Sequence, residues 1–497
     1  MITKPAMSKA QLNQAMIAEV FHGNTAHVAG LLAKGADPNA KGLTGTPALC
    51  YAVAAKSSTA QSSAVAILLL NKGARINAAD RRGNTALAEA VGLKAEALVK
   101  LLLERGASVN ARNAANFTPL GIATVNNDMA ALCLLIASKA DVQAPQQRGI
   151  TPLALAAGLE HPEAVRLLVD AGAPVNVVSQ SSSTPLLIAL AGSRRAGVSP
   201  KEVEAVLLTL LDHGANPSAR GRGSTPPLLV SAALSDLTAS RLLIEHGAAV
   251  NTRDSLGRTA LTLASAQGNV PLVHLLLTNS AALNVRDKAG YTPLLWAVRD
   301  NYTEVAENLL EAGAQVNLAT GQGLTPLMAA CWKGNLPLAA NLLRHGANVK
   351  AADRKGYTAL IMAVHSGSAP LVKMLLSRGA DVNARTAQGT TAINYAVGHK
   401  ALVALLLPRM AAQATRDVPA VPLPKLPTEG AKDAPLAPLV PMAPGFSAAA
   451  SSGTASLGVP TMPQTVVPAS RQPSIMRLPS GPYVPGASGT PRLPGQP

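Results

Sequence analysis

The sequence predicts a mainly α fold: a solenoid of stacked helix–loop–helix units with β-hairpin-like connectors, followed by a disordered C-terminal tail. Three observations predict it. A Thr-Pro-Leu or Thr-Ala-Leu signature recurs with a period of 33 residues. Apolar residues make up 48% of the 497-residue chain and aromatics 2%, so small aliphatic side chains must pack the interior, and large sheet-on-sheet cores are disfavoured. Of the 37 prolines, 19 fall beyond position 407, where the repeat stops.

The signature begins at Thr46, Thr85, Thr118, Thr151, Thr184, Thr225, Thr259, Thr292, Thr325, Thr358 and Thr391, with spacings of 39, 33, 33, 33, 41, 34, 33, 33, 33 and 33. A fixed period replaces the length-based prior of about three domains with one repetitive array. Units close on a Gly-Ala-x-Val-Asn-like phrase, as at Gly73, Gly106, Gly172, Gly247, Gly313, Gly346 and Gly379.

The unit opening at Thr151 shows the physical logic. Thr151 suits an N-cap, because its hydroxyl can accept an orphan backbone N–H, and Pro152 supplies helical φ at a position that needs no donor. Leu153, Ala156 and Ala157 give this helix a small apolar face. Gly158 to His161 interrupt the pattern, Pro162 opens a second helix, and Val165, Leu168 and Val169 recur at i, i+3, i+4. Gly172 stands where a left-handed residue closes that helix. Turn formers such as Gln147-Arg148-Gly149 mark an extended, hairpin-like link between units. Helices this short cannot bury a face alone, so neighbours must stack, and alanines permit close approach. At roughly 25 cal/mol per Å² of apolar surface, stacking supplies most of the stability.

Asp353–Leu360 (DRKGYTAL) and Leu375–Ala384 (LLSRGADVNA) carry a recognisable motif. On these residues the chain resembles the ankyrin repeat family, over about residues 8–407. Eleven signature-bearing units are preceded by a degenerate one at Lys9–Ala40, whose helices read LNQAMIAEVF and HVAGLLAKGA. The expected division is a capping repeat at 1–40, an array at 41–407 ending in a truncated repeat, and a proline-rich tail at 408–497. The family usually places His after Thr-Pro-Leu. Here that slot holds Leu49, Ala88, Gly121, Ala154, Leu187, Thr262, Leu295, Met328, Ile361 and Asn394, so apolar packing is expected to replace the polar bridges such histidines make. Lys139 and Ser280 take the closing-glycine position, where a Cβ costs roughly 1 kcal/mol, and local loosening is expected there. The long spacings assign Ser57–Ala64 and Gly192–Pro200 to lengthened loops between helices, and Pro227 to a single extra residue.

In the tail, Pro435, Pro438, Pro441 and Pro444 recur every third residue, as along one edge of a polyproline II helix. Lys432-x-x-Pro435-x-x-Pro438 resembles a ligand of SH3 domains. So little large apolar surface cannot repay ordering entropy, hence the expectation of disorder.

Chemistry is not announced anywhere. Cys50, Cys133 and Cys331 are odd in number and widely separated, which disfavours a disulfide framework or a Cys-based zinc site. Phosphate-binding glycine motifs and metal-binding signatures are missing from the sequence. His213, His246 and His345 precede Gly-Ala phrases at helix C-termini, where the dipole favours them. We expect no catalytic residues, no cofactor and no metal. The N-terminal MITKPAMSKAQLNQ lacks a signal-peptide h-region and no 18-residue apolar run occurs, so a cytoplasmic protein is expected, with non-classical export left open.

What remains is binding. The resemblance implies a concave face lined by connector tips and first helices. On it the sequence places Tyr291, Arg299, Leu324, Trp332, Lys333, Tyr357 and His365, an exposed concentration in a chain with two Trp and six Tyr; Trp296 is expected in the core. A formal charge of +16 adds a basic stripe on the connector tips, with Arg81, Arg82, Arg220, Arg222, Arg258, Lys288, Arg354 and Lys355 as its candidates. The expected function is a non-enzymatic, monomeric scaffold that binds another protein, of acidic character. Two alternatives stay open: nucleic-acid or anionic-surface binding through the basic tips, and a secreted effector acting on host proteins.

Overall fold

The computed structural model describes residues 7–55, 58–180, 183–192, 199–220 and 225–417, with side chains as far as 411. Two compact units divide them, one reaching Asn216 and the other beginning at Pro217. The first holds α1 (Lys9–Phe21), α2 (Thr25–Ala33), α3 (Ala48–Val53), α4 (Thr59–Asn71), α5 (Ala86–Gly92), α6 (Glu96–Glu104), α7 (Pro119–Val125), α8 (Met129–Ala137), α9 (Pro152–Leu159), α10 (Pro162–Asp170), α11 (Pro185–Gly192) and α12 (Pro200–Asp212). The second holds α13 (Pro227–Ala233), α14 (Leu237–Glu245), α15 (Ala260–Gln267), α16 (Val270–Thr278), α17 (Pro293–Arg299), α18 (Thr303–Glu311), α19 (Pro326–Trp332), α20 (Leu336–Arg344), α21 (Ala359–His365), α22 (Ala369–Ser377), α23 (Ala392–Tyr395) and α24 (Lys400–Asp417). Within each unit, odd-numbered helices pack on odd and even on even, so successive helix pairs stack as the repeat requires.

The signature threonines do what their position demands. The hydroxyls of Thr85, Thr118, Thr151, Thr184, Thr259, Thr292, Thr325 and Thr358 each accept the N–H three residues on. Thr46 and Thr225 do not cap: Pro47 and Pro226 take the N-cap position without a side-chain bond. In both, the leucine follows the threonine by three residues instead of two, which passes the cap slot to a proline that has no acceptor.

From α3 to α21 the first helices are buried along nearly their whole length, and alanine is what makes that possible. Ala90, Ala123, Ala156, Ala189, Ala232, Ala264, Ala297, Ala330 and Ala363 are each fully buried. The slots that lack His are filled as expected, with Leu49, Ala88, Ala154, Leu187, Leu295, Met328 and Ile361 buried. Asn394 departs from this, being exposed and completing a capping box with Thr391.

Polar bridges between repeats are nevertheless present, through a residue that the sequence reading passed over. In the second unit the Asn251 side chain donates to Ser280 O at 3.2 Å and accepts from Ala282 N at 2.7 Å. Asn317 repeats the pattern, donating to Gly346 O at 3.0 Å and accepting from Asn348 N at 2.8 Å. In the first unit Asn39 and Asn176 make the same paired bonds. At these four positions the asparagine of the closing phrase ties its own connector to the residue that closes the next repeat's second helix, whereas Asn77, Asn110 and Asn284 accept from Ser108 N, Asp141 N and Gln315 N.

Three other expectations are corrected. Ser58–Ala64 is not loop: Ser58 forms a capping box with Gln61, and the extra residues lengthen α4 to 13. Ser199 likewise caps α12, also 13 residues long, so part of that insertion is helical; residues 193–198 lie outside the described residues. The boundary at 408 falls inside α24, which runs through Pro408 to Asp417. The rest of the tail, with its proline motifs, lies outside the described residues. Lys139 and Ser280 do adopt left-handed backbone, at φ 64° and 60°.

Connectors are hairpin-like rather than stranded: antiparallel bridges join Lys41 to Pro47, Ala79 to Thr85 and Ala352 to Thr358. An Asp at the turn organises three tips of the second unit, and Thr320 and Thr386 take its place at two others. In the second unit Asp254 Oδ1 accepts from Leu256 N and Arg258 N, Asp287 Oδ1 from Ala289 N and Tyr291 N, and Asp353 Oδ1 from Lys355 N and Tyr357 N. Glycine lets the next connector approach. A Cβ on Gly356, at φ +79°, would lie 2.6 Å from Arg385 O, and one on Gly290 2.8 Å from Gly321 N.

Candidate interaction surface of the second unit

Tyr291, Leu324 and Tyr357 share one slot, just before the signature threonine and 33 residues apart. Arg299, Trp332 and His365 share another, as the last residues of α17, α19 and α21. Each column therefore repeats once per helix pair, and whatever its members expose lies in a row.

Trp296 joins the two columns. Its Nε1 donates to Asp287 Oδ2 at 2.8 Å, and its ring lies 4.9 Å from that of Tyr291. The Arg299 guanidinium sits 4.0 Å from the Trp296 ring centroid and 5.7 Å from that of Tyr291. Nε and Nη2 of Arg299 both donate to the Asp300 carboxylate at 2.8 Å, which fixes the guanidinium over the rings. Burial holds the Tyr291 phenol above its usual range, against the opposing pull of Arg299. Further along, Trp332 and His365 stack at 4.5 Å with 10° between planes, and Lys333 beside them is exposed. Desolvation lowers the His365 pKa, so its ring is neutral at pH 7.

The exposures differ from the sequence expectation. Tyr357 and Leu324 are each only 6% exposed, and Arg299 is buried at 4%. Tyr357 packs near Tyr395, and burial followed by that neighbouring phenol pushes its hydroxyl up to about 12. Tyr291 and Trp332 are half-buried, and His365 and Lys333 are exposed. Trp296 is not core but half-buried. The equivalent slots hold the buried side chains Leu263, Ala329 and Met362, and an indole exceeds the space they fill. That size mismatch was the available signal.

Of the basic tip candidates, Arg81 and Arg82 are exposed in the first unit, and Arg220, Lys288 and Arg354 in the second. Lys355 is half-buried. Arg258 is too, and its Nη2 pairs with Asp254 at 2.7 Å. Arg222 lies outside the described residues.

The titratable groups elsewhere are structural in setting. Burial raises the pKa of the Cys50 and Cys331 thiols, keeping both protonated and unreactive. In the first unit Glu89 is 1% exposed; desolvation, then the Asp80 charge, raises its carboxyl to about 7. Asn84 Nδ2 donates to Glu89 Oε1 at 3.5 Å, while Glu89 Oε2 and Asp80 Oδ2 are buried without partners. Among the described residues no group of three or more His, Cys, Asp or Glu side chains is placed to hold a metal ion, and no helix is long and apolar enough to cross a membrane.

A family model described as "Ankyrin repeats (3 copies)" matches residues 15–113, 120–221, 196–287, 228–320, 263–353 and 327–417. No curated protein matches the chain. With stacked helix pairs, hairpin-like connectors and threonine caps on the same residues that the model covers, the chain belongs to the ankyrin repeat family.

Proposed function

We propose that the chain is a non-enzymatic scaffold that binds a partner protein on the connector-and-first-helix face of its second unit. Ankyrin repeats indicate a protein-interaction scaffold in general; the choice of face rests on the side chains gathered there. The observation that carries it is the row formed by Tyr291, Trp296, Trp332 and His365, with the buried Arg299 holding the first two rings in place. Arg299 is pinned between two aromatic rings and a carboxylate, and Trp332 is stacked on His365. Side chains fixed in this way lose little entropy when a partner arrives, and Trp, Tyr and Arg are the residue types that dominate interface energies.

The test is affinity capture with the intact chain as bait, beside a Trp332→Ala/His365→Ala variant whose helical content is checked by circular dichroism. Loss of the same partners from the variant supports the reading. Equal recovery by both baits overturns it.

A further inference from the structure

The connectors of the second unit form a contiguous ridge. Lys288 N donates to Leu256 O at 2.9 Å, Arg354 N to Gln322 O at 2.9 Å, and Ala387 N to Lys355 O at 2.8 Å. Its charge is one-signed at the surface. Arg220, Arg253, Arg286, Lys288, Lys350, Arg354 and Arg385 are all exposed on it. The connector acids are engaged within the fold: Asp254, Asp287, Asp353 and the half-buried Asp381 cap backbone N–H groups, and Asp287 also accepts from Trp296. The exposed acids among the described residues of this unit, Glu245, Glu304 and Glu311, all belong to second helices. No hydrogen bond or ion pair engages the side chains of Arg253, Arg286, Lys288, Lys350 or Arg354 among the described residues.

We propose that this ridge holds an extended acidic peptide segment of the partner, with carboxylates about every third residue and aliphatic side chains between them. The proposal rests on reading the second unit as a protein-binding face, and it names what that face selects. Arg220, Arg253 and Arg286 recur at the 33-residue period, one per connector. Packed helices lie about 8–10 Å apart, and an extended chain rises about 3.3 Å per residue. Three residues of peptide therefore span one repeat, and each cation meets the next carboxylate. Leu256, 51% exposed beside Arg253, offers the apolar contact that the intervening side chains need.

Nucleic acid fits less well. Single strands bind where bases can stack on exposed rings between cations, and on this ridge Tyr357 is buried and Tyr291 half-buried. Tyr302, 38% exposed, sits at the N-cap of α18, away from the connectors.

The experiment is fluorescence anisotropy with the full chain and a labelled Glu-Leu-Ser repeat peptide of about 12 residues, enough to cross about four connectors. A uridine oligonucleotide of equal charge is the second probe. The ridge variant is Arg253→Glu/Arg286→Glu/Lys288→Glu/Arg354→Glu, and its control carries the same charge change on second helices and the C-cap of one of them, Arg241→Glu/Arg344→Glu/Lys373→Glu/Arg378→Glu. The peptide is expected to bind the intact chain and the control alike, and the ridge variant about tenfold or more weakly, since four cation–carboxylate attractions become like-charge repulsions. Equal weakening in both variants, tighter binding of the oligonucleotide, or no peptide binding at low salt would overturn the proposal. Affinity capture separates this failure from that of the scaffold reading: a ridge variant that retains partners which the Trp332→Ala/His365→Ala variant loses leaves the face in place and removes only the acidic ligand.

Discussion

Trp296 and Asp287 are joined by a 2.8 Å hydrogen bond from the indole Nε1 to Oδ2, while Oδ1 of the same carboxylate caps Ala289 N and Tyr291 N. One side chain thus holds both the connector turn and the aromatic row. Asp287→Ala removes both and is expected to cost about 1–3 kcal/mol, because two N–H groups and an indole lose their acceptor. Asp287→Asn is expected to keep the turn but set an amide N–H₂ or a rotated carbonyl against the indole. In a Trp332→Phe background, where Trp296 is the remaining tryptophan, both variants should shift its fluorescence, and only the alanine variant should lower the urea midpoint strongly. An unchanged spectrum would show that the bond does not set the ring's position.

The asparagine ladder makes a second expectation quantitative. Asn251→Ala deletes the bonds to Ser280 O and Ala282 N and should lower unfolding free energy by about 1–3 kcal/mol. Asn251→Asp keeps the acceptor and loses the donor, so it should fall between alanine and the parent. If alanine and aspartate are equivalent in urea titration, the donor half of the bridge carries the interaction.

Left-handed backbone at Lys139 and Ser280 predicts stabilisation on losing the Cβ. Lys139→Gly and Ser280→Gly should each gain about 1 kcal/mol. In the parent, amides flanking 139 and 280 should exchange hydrogen faster than the matching amides at Gly106 and Gly313. Protection equal to those neighbours would remove the strain argument.

Glu89 gives the first unit a pH dependence of defined sign. Its unfolded carboxyl loses its proton near 4.5 and the folded one near 7. Between those values the native state binds more protons than the unfolded state, so stability falls as pH rises, and the cost is complete above about pH 7. Desolvation and then the Asp80 charge drive the rise, and the weak bond from Asn84 and the Arg82 charge oppose it. Glu89→Gln should therefore stabilise the protein at pH 8 by up to about 3 kcal/mol and change little at pH 4. A glutamine variant that is no more stable at pH 8 would contradict it.

Most of the fold was legible because it is written in periodic, local signals: threonine caps, closing glycines and alanines in the stacking faces. Ser58 and Ser199 show where that logic was applied too narrowly. Each begins a capping box, so the inserted residues extend a helix rather than a loop. Pro408 shows the reverse limit, since a helix started at Lys400 carries through it. Site residues were harder to place, because position in a repeat does not reveal how much of a side chain its neighbours cover. Tyr357 shares a slot with Tyr291 but packs near Tyr395 and is buried, and Arg299 shares one with the exposed His365 but is held by Trp296 and Asp300. The asparagine bridges and the inward-turned aspartates depend on contacts roughly one repeat away or on turn geometry, which residue identity alone does not display.

Hydrogen exchange of the full chain, free and with a captured partner, reads the binding face without assuming any one anchor. The account predicts slower exchange at 253–258, 286–299, 320–333 and 353–365, with α14, α16, α18, α20 and α22 unchanged. Protection confined to those second helices, or absent from the second unit, would contradict it.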